Sequence, residues 1–321
     1  MKKEPGVKGR ISAVVTAFNS EKYLERAVES LVNTGYPDLE IVIVDDGSRD
    51  SSMNIAKMLT GRHPGKIRIF QHRNGANRGV SASRNLGILE SSGEYICFLD
   101  ADDRVFPHRF ETAVSILEKD ASVDGVYELA RMVFETEADQ AKWADNPEFF
   151  GLSFEEADHE HLLGILLKGT SWASSAILFR RALLSRTGLF NEKQHIAEDC
   201  NLWFRMASVG LIIAGNMREP VSAYFRHDSN TYFYVLERKK DMISAMIDFY
   251  KWSKKKDLPH KTNQTIREGV SNYIINSLIA TREAKKPALA WRIAIRSFLG
   301  APSLCLNKRF FAQMMWMLRG K

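Results

Sequence analysis

Between Arg10 and Asp103 the chain alternates short β-branched runs with helical periods, a pattern that only a parallel sheet flanked by helices accommodates. Ile11 to Thr16 reads as the first strand. Tyr23, Leu24, Ala27, Val28, Leu31 and Val32 then recur on one helical face, so a helix is expected from about Ser20 until Tyr36-Pro37-Asp38 stops it. Ile41 to Val44 is apolar throughout, as a strand buried on both faces must be, and it ends in the turn Asp45-Asp46-Gly47-Ser48. The same reading gives a helix over Ser51 to Leu59, a strand over Ile67 to Gln71, a helix over Ser81 to Glu90 and a strand over Tyr95 to Leu99. Open sheets of this kind bind ligands outside the carboxyl ends of their strands.

Beyond Pro107 the signals thin out. A helix to about Lys119, one strand across Gly125 to Phe134, a strand at Ile177 to Phe179 and a helix over Cys200 to Ser208 are expected. Glu135 to Leu152, acidic and aromatic without a period, reads as a mobile loop. From Val235 the pattern is helical, with Pro259, Pro287 and Pro302 as punctuation. Charge is divided unevenly: residues 235–321 carry 18 Lys+Arg against 6 Asp+Glu, while the remainder carries 27 against 33. Three cysteines, Cys97, Cys200 and Cys305, without C-x-x-C spacing, suggest neither a disulfide framework nor a zinc site and fit a reducing cytosol. No stretch has the length of a signal peptide or a membrane span.

The carboxylates at strand ends carry the chemistry. Phe98-Leu99-Asp100-Ala101-Asp102-Asp103 can present an acid to a divalent cation that neutralises a diphosphate, although a solvated acidic turn has the same sequence. A calcium loop is excluded, because Val105 stands where that loop requires glycine. Val14-Val15-Thr16-Ala17-Phe18-Asn19 and Val44-Asp45-Asp46-Gly47-Ser48 end side by side, where polar groups can read a nucleobase edge. Helix capping by Asn19, Ser20, Ser48 or Asp50 is the plainer use of the same residues. No G-x-G-x-x-G follows a strand and no P-loop is present, which disfavours dinucleotide and P-loop chemistry.

Taken in order, these segments with Asn77-Arg78-Gly79-Val80-Ser81-Ala82-Ser83-Arg84-Asn85-Leu86-Gly87 and Ala197-Glu198-Asp199-Cys200-Asn201-Leu202-Trp203 resemble the family-2 glycosyltransferases of GT-A fold, from about Arg10 to Ser229. The resemblance implies an α/β GT-A fold with a Rossmann-like, mostly parallel sheet. It divides the chain into a catalytic domain over 1–234, with a nucleotide half of about 10–103 and an acceptor half of about 104–234, and a basic helical region over 235–321. It implies an inverting, metal-dependent transferase that uses a nucleotide-diphospho-sugar, UDP foremost, on a glycan or lipid-linked glycan in cell-envelope or extracellular polysaccharide synthesis.

By the same resemblance Thr16, Ala17, Phe18, Asp46, Asn77, Arg84, Asp100 and Ala101 bind the donor. Asp102 and His227 hold Mn²⁺ or Mg²⁺, and Asp199 beside Glu198 is the catalytic base. Phe18 stands where the family often has tyrosine, and Ser83 where it often has alanine. Plainer readings stay open: Asp199 can pair with Arg205, Glu198 can answer the helix dipole, His227 can be a surface ion-pair member, and His159 and His161 can face solvent. Trp172 and Trp203 read as core aromatics. A hydrolase using Asp102 and Asp199 as a carboxylate pair is the alternative enzyme. A basic module on a membrane or polyanion is the alternative of another class. Nucleic acid is not expected as a partner. A cytoplasmic location, an anionic membrane surface met by the C-terminal helices, and a homo-oligomer complete the expectations.

Overall fold

Ile41, Val42, Ile43 and Val44 are all fully buried, as a run apolar on both faces requires, and they form an interior strand of a mostly parallel sheet. The structure is a computed structural model that describes residues 6–134, 159–226 and 235–318. Of these, 6–134, 171–195 and 210–226 form one compact unit, and 159–170, 196–209 and 235–318 form another.

In the first unit β1 (Val7–Ala17), α1 (Leu24–Val32), β2 (Leu39–Asp45), α2 (Ser52–Arg62), β3 (Ile67–Gln71), α3 (Val80–Glu90) and β4 (Gly93–Asp100) alternate as the sequence pattern demands. Among the described residues seven strands make one sheet in the order β3-β2-β1-β4-β8-β6-β9, with β8 (Ile177–Arg180), β6 (Gly125–Tyr127) and β9 (Ile212–Ala214) extending it. β1 pairs in parallel with β2 and β4, and only β8 runs against its neighbours. The GT-A-like expectation of a mostly parallel sheet flanked by helices therefore holds. One face of the sheet packs Ile11, Ala13, Val15, Ile41, Ile43, Cys97 and Leu99 against Leu24, Val28 and Leu31 of α1. Each valine, leucine or isoleucine among them is worth about 1.5–3 kcal/mol when taken from water, so this face anchors the edge where β1, β2 and β4 end.

Two expectations need correction. Helix α1 is regular only from Leu24, a turn later than expected, although Ser20 O already accepts from Tyr23 N (2.9 Å) and Leu24 N (2.9 Å). Gly125 to Phe134 is two strands. β6 belongs to the large sheet, whereas β7 (Ala130–Phe134) joins β5 (Arg104–Val105) and β10 (Ser222–Arg226) in a three-stranded sheet of order β5-β10-β7. The chain changes sheet at Glu128, whose buried carboxylate accepts from Arg109 Nη1 (2.8 Å) while Leu129 N bonds to Asn216 O (3.0 Å). Burial raises the Glu128 pKa, and the facing Arg109 charge opposes that rise. Helix α4 (Glu111–Lys119) packs near β6.

The second unit is helical. It contains α5 (His159–Leu166), α6 (Glu198–Val209), α7 (Val235–Ser253), α8 (His260–Glu283), α9 (Pro287–Gly300) and α10 (Lys308–Leu318). Trp203 is fully buried and Phe204 packs on Phe249 at 5.5 Å, so α6 is held by α7 through aromatic contacts. Trp172, in the first unit, stacks on Tyr127 at 5.1 Å, and both tryptophans are core residues as read. His161 is exposed and His159 half-buried on α5. Glu135 to Leu152 and His227 lie outside the described residues.

Candidate active site

The parallel pairing of β2, β1 and β4 aligns three strand ends, placing Thr16 opposite Asp100 and Ala17 opposite Asp45. Side-chain alternation puts Thr16, Asp46 and Asp100 on the face covered by α3. Thr16 Oγ1 donates to Asp100 Oδ1 (3.1 Å), and Arg84 Nη2 of α3 donates to both Asp100 oxygens. Arg84 lies over the rings of Phe98 and Phe190, so a buried cation is shared between a carboxylate and two aromatic faces. Ala101 N bonds back to Thr16 O (3.2 Å), which folds the Asp100-Ala101-Asp102 turn over the end of β1.

Asp46 is fixed from the other side. Its Oδ1 accepts from Arg78 N (2.7 Å) and its Oδ2 from Gly79 N (2.8 Å), immediately before α3. A carboxylate offers about four acceptor positions, so two bonds leave capacity for one more N–H. Gly47 has φ +81°, and a Cβ there would lie 2.6 Å from Gly75 O and 2.9 Å from Asn77 N. Only glycine lets the loop carrying Asn77 close on the Asp46 turn. Phe18 projects from the same edge, 49% exposed, which is an unusual position for a large aromatic. Thr16, Ala17, Phe18, Asp46, Asn77, Arg84, Asp100 and Ala101 thus gather at one edge of the first unit.

The loops after β1 and β2 are laced together. Asn19 N donates to Ser48 Oγ (2.9 Å), Ser20 N to Ser52 Oγ (2.8 Å) and Glu21 N to Asp50 Oδ2 (3.0 Å). In the opposite direction Arg49 N donates to Asn19 Oδ1 (2.9 Å) and Ser51 N to Glu21 Oε2 (2.9 Å). Of the residues expected to cap, Asp50 does so, its Oδ1 accepting from Ser52 N at the start of α2 (3.0 Å), whereas the side chains of Asn19 and Ser48 are taken up by this exchange and Ser20 Oγ turns back to Phe18.

Asp100, Asp102 and Asp103 occupy different surroundings within four residues. Asp103 is buried, accepts from Phe225 N of β10 (3.0 Å), and is pushed well above the usual carboxyl range by burial first and then by the charges of Asp102 and Asp100. It ties the turn to the strand that precedes His227. Asp100 is occupied by Arg84 and Thr16. Asp102 is half-buried, and its backbone carbonyl accepts from Arg26 Nη2 (2.9 Å). Among the described residues no three His, Cys, Asp or Glu side chains form a metal cage. A hard oxygen donor of this kind suits a cation whose other ligands are substrate phosphates and water, which is how Mg²⁺ is commonly held.

In the second unit Glu198 and Asp199 open α6. Ala197 before them has φ 58°, a conformation that costs a non-glycine residue roughly 1–2 kcal/mol and that concentrates at functional sites. Asp199 is half-buried and its Oδ1 accepts from Cys200 N (2.7 Å). Asp199 and Arg205 are six residues apart, which places them roughly 120° apart around the helix, and Arg205 Nε bonds to Asn201 Oδ1 (3.0 Å). Burial lowers the Arg205 pKa to about 10. Asn201 Nδ2 donates to Ala245 O of α7 (2.8 Å), so Asn201 fixes the start of α6. Arg26, Asp103 and Asn201 were not singled out from the sequence. Asp103 and Asn201 lie inside the very motifs that were read, and their buried contacts with distant strands and helices are the missing signal.

A mostly parallel α/β sheet flanked by helices, with acids at adjoining strand ends, defines a GT-A-like class of fold. Residues 12–180 match the model of Glycosyl transferase family 2, and the chain belongs to that family. An uncharacterized glycosyltransferase of Nostoc sp. is 28% identical over 229 residues, 70% of this chain and 66% of that protein. The putative glycosyltransferase EpsE of Bacillus subtilis is 32% identical over 110 residues, 34% of this chain and 39% of that protein. The chain spans about a third to two thirds of the length of the first curated relatives it matches. The crystal structure of S. aureus TarS 1-349 in complex with UDP-GlcNAc superposes with TM-score 0.63 at 17% identity, covering 97% of this chain and 92% of the other. The mannosyltransferase PcManGT from Pyrobaculum calidifontis, in complex with GDP-Man and Mn²⁺, gives 0.60 at 16%, covering 98% and 86%. At these identities the two structures share the fold with this chain.

Proposed function

We propose that the protein is an inverting glycosyltransferase that moves a sugar from a nucleotide diphosphate, UDP foremost, to a hydroxyl of a glycan or lipid-linked glycan, on the cytoplasmic side, in cell-envelope or extracellular polysaccharide assembly. The observation that carries this reading is the linked cluster of Thr16, Asp100 and Arg84 beside the clamped Asp46 at one sheet edge. Asp46 accepts a ring N–H of the base, Phe18 stacks on its face, and Thr16, Asn77 and Arg84 with Asp100 hold the nucleoside and its phosphates. Ala17 and Ala101 keep the strand ends close, small side chains leaving room for the ligand.

When bound, Mn²⁺ or Mg²⁺ neutralises charge on the leaving diphosphate, with Asp102 and, by the family resemblance, His227 as its protein ligands. Asp199 takes the proton of the acceptor hydroxyl as that oxygen attacks the anomeric carbon. The bond to the diphosphate breaks, and the anomeric configuration inverts. Glu198, buried in the first turn of α6, stands next to the base and helps to place it.

Thermal melts with a panel of nucleotide sugars test the reading. At about a hundredfold excess over Kd the true donor should raise Tm by roughly 5 °C in the presence of Mn²⁺. Asp102→Asn should keep its fold and lose the Mn²⁺-dependent part of that rise. A panel in which no nucleotide sugar shifts Tm would overturn the proposal, and sugar release indifferent to every acceptor would make the protein a hydrolase.

A further inference from the structure

The second unit exposes apolar side chains in a way the rest of the described chain does not. Of ten large hydrophobics that stand exposed, six fall within residues 295–315: Ile295, Phe298, Leu299, Leu306, Phe311 and Met315. Single exposed hydrophobics are ordinary, whereas a concentration of them marks an interaction surface.

Their placement is regular. On α9, Ile295 and Leu299 lie one turn apart with Arg292 and Arg296 exposed on the same side, while Ile293, Ala294 and Ser297 take the buried side. On α10, Lys308, Phe311, Ala312 and Met315 fall at i, i+3, i+4 and i+7 on an exposed stripe, while Phe310 and Met317 are buried. Leu306, 64% exposed, precedes Asn307, which caps α10 by accepting from Phe310 N (2.9 Å). At the start of α10 lies a cavity of about 310 Å³ whose charged lining is three cations, Arg267, Lys308 and Arg309, against one carboxylate, Glu268. Apolar and cationic groups therefore share the exposed faces of both helices.

Neither helix can span a bilayer. At 1.5 Å per residue α9 is about 21 Å long and α10 about 16 Å, against roughly 30 Å of hydrocarbon. Among the described residues no helix is long and apolar enough to cross. A second copy of the chain is the poorer occupant, because a two-fold interface sets the patch against itself and would bring Arg292, Arg296 and Lys308 onto an equally cationic surface. A negatively charged lipid surface answers both components: acyl chains take the apolar groups and headgroup phosphates take the cations.

We propose that α9, α10 and the Leu306 connection form a docking surface for an anionic membrane, with Ile295, Phe298, Leu299, Leu306, Phe311 and Met315 entering the acyl boundary and Arg292, Arg296, Lys308 and Arg309 meeting lipid phosphates. The surface uses no residue assigned to donor binding or catalysis, so it stands or falls apart from the transfer chemistry.

Flotation of the full chain with phosphatidylcholine vesicles, with and without phosphatidylglycerol, tests it. Binding should require phosphatidylglycerol and weaken as salt rises. Each of R292E, R296E, K308E and R309E should lower the partition coefficient by at least about fivefold, the value of one cation near an anionic surface. The double variant F311S/M315S should lower it further with phosphatidylglycerol present, and transfer to a soluble acceptor should be unchanged in all of them. The charge variants remove no buried side chain, so they serve if F311S/M315S fails to fold. Absence of flotation at low salt overturns the proposal. So does flotation unaffected by the charge variants, or a parent dimer that F311S/M315S converts to monomer without any vesicle binding.

Discussion

Arg84 and Asp100 meet through a single guanidinium nitrogen, Nη2, which lies 2.8 Å from one carboxylate oxygen and 3.0 Å from the other. The guanidinium plane is held over Phe98 and Phe190, a role a lysine ammonium does not reproduce. Arg84→Ala should cost roughly 1.5–3 kcal/mol, the range for a hydrogen bond to a charged group. Arg84→Lys should cost less but still weaken donor binding, because Asp100, to which Thr16 donates, loses its fixed partner. Denaturant unfolding with donor titration of both variants checks this. Equal donor affinity for wild type and both variants would remove Arg84 from the donor site.

Asp199→Asn should keep donor affinity and lose turnover by roughly 10²–10⁴, the usual cost of removing a general base. Steady-state kinetics beside equilibrium donor binding separates the two effects. If donor affinity falls while saturated turnover is unchanged, Asp199 is a binding residue and the base lies elsewhere.

Gly47→Ala should be harmful for two reasons, a φ of +81° and a Cβ 2.6 Å from Gly75 O. Strain alone should cost about 1–3 kcal/mol, and displacement of the Asn77 loop should also weaken donor binding. Gly35→Ala is the matched control: its φ is +65° but nothing lies within 4 Å of the added Cβ, so it should lose stability and keep donor affinity. Indistinguishable donor titrations for the two variants would show that the Asn77 loop does not contribute.

Cys97, Cys200 and Cys305 are free and buried, and burial pushes the Cys97 and Cys305 thiols up to about 11. At about pH 8 a thiol reagent should find none of them in the folded protein and all three after unfolding. The unfolded chain ionises these thiols first. Their contribution to stability is therefore complete below the ordinary thiol range and is lost as pH rises toward about 11. Melts across that alkaline window should show Tm falling, with a shallower fall in Cys97→Ala. Rapid labelling of the native protein would contradict the burial.

What the sequence conveys well is whatever repeats locally. The runs ending at Thr16, Val44 and Leu99 are strands because nothing but burial on both faces explains them, and the acids that follow fall at the sheet edge as read. Gly125 to Phe134 misleads for the opposite reason: Glu128 looks like one polar position in an alternating strand, yet its partner Arg109 lies nineteen residues away and turns the chain into another sheet. Asp103 and Asn201 were hidden in the same way, one bonded to Phe225 and the other to Ala245. Asp50 reads as a helix cap and is one, yet its second oxygen accepts from Glu21 N of the other loop, a pairing that only proximity in the fold decides. Family resemblance supplied the roles that spacing alone leaves open.

The exchange of hydrogen bonds between the loops after β1 and β2 has a dynamic counterpart. Five amides, of Asn19, Ser20, Glu21, Arg49 and Ser51, each depend on a side chain of the other loop. Neither loop can lift without releasing the other, so solvent should reach these protons in one shared opening event rather than residue by residue. Under the proposed function, Phe18 and Asp46, at the roots of the two loops, would then meet a nucleobase as a single jaw whose closing step is common to both.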